Sequence, residues 1–261
     1  MRKSRRAFCF GWFIIEIKEV TPMIYVTGDT HGDLRRLEDR SPISRLLTPE
    51  DLIIVAGDFG YLLDRPSLSE HLGFFASRQY TIAFIDGNHE VFPLIGSFPE
   101  ESWCGGRIHR ILPNLIHLMR GQVYTIENIR IFTMGGAHSP DRAMRTPGVS
   151  WWPEELPSQK EYQEGLKNLE AVGHDIDAII SHTAPYDTLE FLKMRGYLDS
   201  IFPEDQPICQ YLQYIDELTG FPLHLFGHLH LDLPLWRNQY ALLNDIFSLN
   251  SRDYVFRSET V

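Results

Sequence analysis

Short apolar runs recur along the chain, and several stop abruptly in a polar cluster. "MIYVTGD" (23–29), "DLIIVAGD" (51–58) and "YTIAFIDGN" (80–88) read as strands, the second buried by its continuous apolar run. A short stretch with Leu34 and Leu37, and "SLSEHLGFFASRQ" (67–79), read as helices between them. Strand alternating with helix predicts parallel βαβ units and an α/β fold.

The pattern then changes. "NLIHLMRGQVYTIENIRIFTMGG" (114–136) holds strand-like runs split at Arg120-Gly121 and Glu127-Asn128, and predicts an antiparallel meander. A long irregular segment with four prolines follows, "AHSPDRAMRTPGVSWWPEELPS" (137–158). Loops of that length are mostly functional or disordered, and the paired Trp151 and Trp152 argue for order. "SQKEYQEGLKNLEAVG" (158–173) predicts an amphipathic helix opened by a Ser158/Glu161 capping box, with a solvated Glu-rich face. "IDAIISHTAP" (176–185) predicts a strand ending at His182. "ICQYLQYIDELTG" (208–220) predicts a helix stopped by Gly220, and "PLHLFGHLH" (222–230) a strand ending in a His pair. "YALLNDIF" and "DYVFRS" predict two more strands. With no repeat, low-complexity tract or linker, one domain from Met23 to Val261 is expected.

Composition narrows the classes. A chain of 261 residues with 43% hydrophobic positions can bury a large core. Its net charge of -11 argues against a long track for nucleic-acid backbone, though not against a phosphate bound through metal ions. Cys9, Cys104 and Cys209 lie far apart, which points to a reduced, cytoplasmic setting. No apolar run reaches the roughly 18–20 residues of a membrane span. Residues 1–22 combine basic residues with an apolar stretch from Ala7 to Ile15, as in a secretory signal, but lack a small-x-small cleavage site. They read as an upstream extension with a start placed too early.

Five apolar runs end in residues of ligand type: Asp29-Thr30-His31, Gly57-Asp58, Gly87-Asn88-His89, Ser181-His182 and Gly227-His228-Leu229-His230. Ligands in open α/β sheets bind beyond the carboxyl ends of strands, so five such clusters can converge. In extended chain, residues i and i+2 share a side, so Asp29 with His31, and His228 with His230, can reach one point. Gly28 and Gly32 permit a turn beside Asp29. Carboxylate, amide and imidazole donors suit Mn, Fe, Zn or Ni. A lone Asp after an apolar strand is usually a turn former or N-cap; the joint pattern is what points to metal. Asp33 is open to two roles, capping the following helix or orienting a ligand.

The series GDTHG, GDFG, GNHE, SH and GHLH, running in this order from Asp29 to His230, resembles the calcineurin-like metallophosphoesterase superfamily. "GGRIHRILPN" and "GVSWWPEE" are similar to small bacterial and phage members of it. The resemblance implies a sandwich of two mixed β-sheets flanked by helices. It implies two divalent metal ions, with Mn2+ the expected ion and Fe, Zn or Ni compatible. Asp29, His31 and His230 would bind one ion, Asn88, His182 and His228 the other, and Asp58 would bridge both. A bridging hydroxide would attack phosphorus directly, with no covalent enzyme intermediate. His89, one residue past Asn88 and on the opposite side, would protonate the leaving oxygen.

The remaining candidates are read from residue type. Arg142 and Arg145 are solvated side chains or, for one of them, a grip on phosphate. Trp151 and Trp152 are loop anchors or a stacking platform. His71, His109, His117, His138, His174 and His224 are surface or supporting histidines. The expected partner is a small phosphorylated substrate, a phosphodiester or phosphomonoester. Relatives acting on phosphoproteins and dinucleoside polyphosphates continue the second motif as GDxVDRG; here it runs "GDFGYLLDRP", with Asp64-Arg65 three residues late. The closing GHLH resembles the phosphodiesterase and nuclease branch more. The alternatives are a nuclease recruited to nucleic acid, a protein serine/threonine phosphatase, and a catalytically silent scaffold.

Overall fold

The computed structural model describes residues 21–62 and 67–258. Residues 1–20, most of the expected extension, and Asp64-Arg65 lie outside the described residues. Two mixed sheets pack face to face. The first holds β1 (Ile24–Thr27), β2 (Leu52–Val55), β3 (Thr81–Phe84), β4 (Glu100–Trp103), β5 (Gly106–Leu112), β6 (Leu115–Leu118), β13 (Ile246–Ser248) and β14 (Asp253–Phe256). Their spatial order is β14-β13-β1-β2-β3-β6-β5-β4. The second holds β7 (Gln122–Ile126), β8 (Ile129–Met134), β9 (Ala178–Ser181), β10 (Leu223–Phe226), β11 (Leu233–Pro234) and β12 (Gln239–Ala241), in the order β11-β12-β10-β9-β8-β7.

Each sheet has a parallel centre and antiparallel edges. In the first, β1, β2, β3 and β6 run parallel; in the second, β8, β9, β10 and β12 do. Buried strands need two apolar faces, which is why their sequences read as continuous apolar runs. Ile24 and Val26 enter the core between the sheets, where they join Ile54, Ile131, Ile180 and Leu225. Tyr25, Ile53, Val55 and Phe84 point the other way, toward α1 (Pro42–Leu46), α2 (Ser67–Ala76) and α3 (Phe92–Ile95). Across the molecule, Phe132, Ile179 and Phe226 pack on α4 (Gln159–Ala171), α5 (Tyr186–Met194) and α6 (Gln206–Thr219).

Local signals are honoured where the chemistry is local. Ser158 caps α4 and Glu161 reaches back to its N–H, completing the capping box. Gly220, with φ 76°, ends α6 in the left-handed conformation. Asp33 accepts the Arg35 N–H and caps the 3₁₀ turn at Leu34–Arg36, so capping is its role.

Two expectations change. The stretch 114–136 is not one meander: β6 pairs with β3 and β5 in the first sheet, whereas β7 and β8 form a hairpin in the second. Alternation marks a strand but not which sheet it joins, and the chain crosses between sheets at Arg120-Gly121. Nor is the acidic face of α4 merely solvated, since Glu164 pairs with Arg107 at 2.6 Å and accepts from Gln122 at 2.9 Å. The helix α5 and the hairpin β4–β5 had no counterpart in the sequence reading.

Candidate metal centre

All five ligand-type clusters lie just past the carboxyl ends of parallel strands: β1, β2 and β3 of one sheet and β9 and β10 of the other. Because the sheets face each other, those ends form one cleft. Asp58 is held there by its neighbour Phe59, which stacks on Phe84 at 4.3 Å within a buried aromatic group. Truncating such an anchor costs roughly 3–5 kcal/mol.

Asp29, His31 and His230 close on one point. His31 Nε2 and His230 Nε2 are 2.9 Å apart, and Asp29 Oδ2 lies 3.6 and 3.3 Å from them. A second group, Asp29, Asp58 and His182, adjoins the first. His182 Nε2 is 3.5 Å from Asp58 Oδ1 and 3.0 Å from Asn88 Oδ1. The His228 ring centroid lies 5.0 Å from that of His182. All seven candidate ligands are therefore brought together, and Asp58, facing both His31 and His182, sits between the groups.

The residues converge, but not through the extended chain that the i, i+2 spacing assumes. His31, Asp58, His228 and His230 have φ of 46°, 46°, 63° and 53°, so the chain coils rather than extends. Left-handed non-glycine residues of this kind cost energy and gather at functional sites. Gly28 serves closeness rather than a turn: a Cβ there would sit 2.0 Å from the Leu242 carbonyl oxygen, while the left-handed φ of 75° belongs to Gly32. Gly87 admits the Asp58 carboxylate, since a Cβ there would sit 2.0 Å from Asp58 Oδ1.

The donors fit divalent cations. Asp29 and Asp58 are buried, and among the described residues only imidazoles, not Lys or Arg, pair with their carboxylates. His182 Nδ1 is 2.8 Å from the Ala56 carbonyl, to which it donates. In the neutral tautomer that this bond selects, Nε2 presents its lone pair toward a second acceptor, Asn88 Oδ1, as in metal-binding histidines fixed by a backbone carbonyl. The Asn88 amide donates to Ser139 Oγ at 3.1 Å, which sets its orientation. Burial opposes charge on Asp29, but the His230 hydrogen bond and the His182 and His228 contributions outweigh it and hold the carboxyl below its ordinary value. Burial, reinforced by His182, pushes the His228 imidazolium down to about 3, leaving a neutral donor.

His89 differs from expectation in direction. It does not point away from Asn88; its Nε2 lies 3.2 Å from Asn88 Nδ2 and 3.9 Å from Asp58 Oδ2. The chain bends at Asn88 and His89, and the His89 N–H donates to Asp58 Oδ1 at 2.9 Å, so both side chains face the cleft. Burial lowers the His89 pKa, with Asp58 opposing and Arg145 assisting. Arg145 Nη2 is 3.4 Å from His89 Nε2, and its Nε donates to Asp141 at 2.6 Å. Arg142 instead lies 3.9 Å over the ring of Trp151, which is buried as a loop anchor.

Several supporting residues carried no sequence signal. Arg36 is half-buried and donates to the Asp29 carbonyl at 2.5 Å, Thr27 Oγ1 at 2.8 Å and the Leu243 carbonyl at 2.7 Å. Glu90 accepts the Phe59 N–H at 2.8 Å, and burial, reinforced by Asp58, raises its pKa to about 8. Glu90 stands inside the GNHE motif, which was the one available hint. Arg36 had none.

No curated protein matches the chain. Among solved structures it is similar to a phosphopantetheinyl hydrolase from Mycobacterium tuberculosis, at 17% identity over 85% of this chain and 88% of that one, with a TM-score of 0.40. It is also similar to the sulfate thiohydrolase SoxB from Thermus thermophilus, at 12% identity over 87% of this chain and 53% of that one, with a TM-score of 0.36. The family model for calcineurin-like phosphoesterases matches residues 22–232. Every cluster in the cleft falls inside that span, and the chain belongs to the calcineurin-like phosphoesterase family.

Proposed function

We propose that this chain is a two-metal phosphoesterase that hydrolyses a small phosphodiester or phosphomonoester. The observation that carries the reading is the convergence of Asp29, His31, Asp58, Asn88, His182, His228 and His230 at the facing strand ends, with His89 and Arg145 beside them. Asp29, His31 and His230 would hold one divalent cation and Asn88, His182 and His228 the other, with Asp58 shared. Mn2+ is the expected ion, and the donor set also accepts Fe, Zn or Ni. Such ions, when bound, supply Lewis acidity toward phosphoryl oxygens and acidify water.

The chain's own groups do the rest. Asp58 receives the His89 backbone N–H, which holds the His89 imidazole over the cleft. His89, whose protonated form Asp58 favours against burial, would pass a proton to the departing oxygen. Arg145, steered by Asp141, offers a guanidinium to the developing negative charge. The three separated cysteines and acidic balance support a cytoplasmic enzyme acting on a small molecule rather than on nucleic acid.

The test is Mn2+-dependent hydrolysis of bis(4-nitrophenyl) phosphate beside 4-nitrophenyl phosphate, with Asp58→Ala as control and metal content measured on the same protein. Turnover of either ester, lost in the variant, is expected, and the ratio selects diester or monoester. No turnover together with no bound metal would refute the reading and leave a scaffold.

A further inference from the structure

Beside His89 the surface opens into a cavity of about 550 Å³. Its floor is Val91, Pro93 and Leu94, at and just before α3. Its roof is the segment from Arg145 to Trp152, part of the long irregular loop. We propose that this cavity receives the departing alcohol of the substrate, and that this alcohol is an uncharged organic group with an apolar, ring-sized body. The inference rests on the phosphoesterase reading above and adds the class of substrate.

Three observations carry it. First, position. His89 faces Asp58 on one side and lines the cavity on the other, which places a group in the cavity beside the oxygen that His89 would protonate. Second, size and lining. The volume is of the order that small organic ligands occupy, and a methyl or ethyl group would leave it mostly empty. Val91, Pro93, Leu94, Val149 and Trp152 supply apolar surface for a ring, and His89, Arg145, Ser97 and Ser150 supply polar groups beside it. Third, charge. Arg145 is the cation in the lining, and under the phosphoesterase reading it serves the reacting phosphoryl group. No surplus positive charge awaits a second phosphate, which disfavours a nucleoside polyphosphate or polynucleotide as the departing group.

In the hydrolysis this implies, water's oxygen bonds to phosphorus as the bond from phosphorus to the alcohol oxygen breaks. The alcohol oxygen takes its proton from His89, and the proton released by water passes to solvent. The products are the phosphate, or its remaining ester, and the neutral alcohol in the cavity.

The test compares methyl 4-nitrophenyl phosphate with methyl 4-methylumbelliferyl phosphate, which have one and two rings in the departing group, on the Mn2+-loaded full chain. The two-ring ester is expected to show a KM about tenfold lower, reflecting additional apolar area buried. Ser97→Trp, at an exposed rim position, is expected to erase that preference by filling the cavity, and Trp152→Ala to erase it by removing the roof. A fluorescence titration with 4-methylumbelliferone alone provides a readout independent of turnover: saturable binding to the parent chain, lost in Ser97→Trp. Equal KM values in the parent chain, or a preference that neither variant alters, would overturn the proposal. Binding without hydrolysis of either ester would overturn the phosphoesterase reading and keep the cavity, whereas hydrolysis without binding or size preference would do the reverse.

Discussion

Replacing Arg120 with methionine tests whether the cleft is held by a buried ion pair. Arg120 is buried at the crossing from the first sheet to the second, with Nε 2.9 Å from Asp86 Oδ2. Its Nη2 donates to the Glu154 carbonyl at 2.9 Å, at the end of the long loop. Asp86 lies three residues before His89, contacts His117 at 3.0 Å, and through its carbonyl accepts the Gly136 N–H at 2.9 Å. Arg120→Met is nearly isosteric but leaves Asp86 buried with one partner of the two. Breaking one side of a buried pair costs about 3–5 kcal/mol. In a domain of ordinary stability that is a third or more of the total.

Burial pushes the Asp86 carboxyl up, but the charges of Arg120 and His117 outweigh it and hold it below the ordinary range. A depressed pKa contributes stability above the unfolded value, near 3.9, and loses it as pH falls through the folded value. In Arg120→Met the main opposing charge is gone and burial remains, so Asp86 titrates higher. The deficit of the variant should then be largest at pH 8 and shrink toward pH 5 as Asp86 takes up its proton. Urea unfolding with chelator present, followed by far-UV circular dichroism, measures both. Adding Asp86→Asn to Arg120→Met should recover about half of the loss, because the stranded charge is removed. A deficit below about 1 kcal/mol, or one equal at the two pH values, would refute the account of Asp86 and Arg120 as an essential pair.

Other outcomes follow from particular residues. His230 holds a left-handed φ of 53° but also bonds the buried Asp29, so His230→Gly in chelator should shift urea unfolding by less than about 1 kcal/mol, backbone relief offsetting the lost contact, while calorimetry shows Mn2+ affinity falling at least about tenfold. Burial raises Asp205 to about 6, against the opposing His138 N–H, which donates to it at 2.7 Å. A raised carboxyl contributes stability fully present below about pH 4 and lost as pH rises through about 6. Asp205→Asn should therefore gain on the parent chain by up to about 2–3 kcal/mol between pH 4 and 7, and parallel stability curves would contradict this. Gly87→Ala, whose methyl would overlap Asp58, should abolish turnover and metal retention while far-UV circular dichroism still reports the fold; retained activity would show that the close approach is not required.

The sequence by itself determined the parallel strands that carry the clusters and the order of those clusters, because apolar continuity and strand-end chemistry are local properties; the β4–β5 hairpin and the split of "YALLNDIF" into β12 and β13 were not legible. "DLIIVAGD" must be a buried strand, and Ser158 with Glu161 must open a helix, whatever lies elsewhere. Sheet membership was not legible. The break at Arg120-Gly121 looks like a hairpin turn in sequence, and only packing against the rest of the chain sends β6 and β7 to different sheets. The direction of His89 was likewise decided by tertiary structure, since the Asp58 carboxylate, 31 residues away, captures its N–H and bends the chain. Arg36, Arg120 and Glu90 are ordinary charged residues in sequence. They become supports of the cleft only because folding packs them, Arg120 and Glu90 fully and Arg36 partly buried, against carbonyls, a carboxylate and an N–H drawn from distant segments, where an unmet polar group is costly.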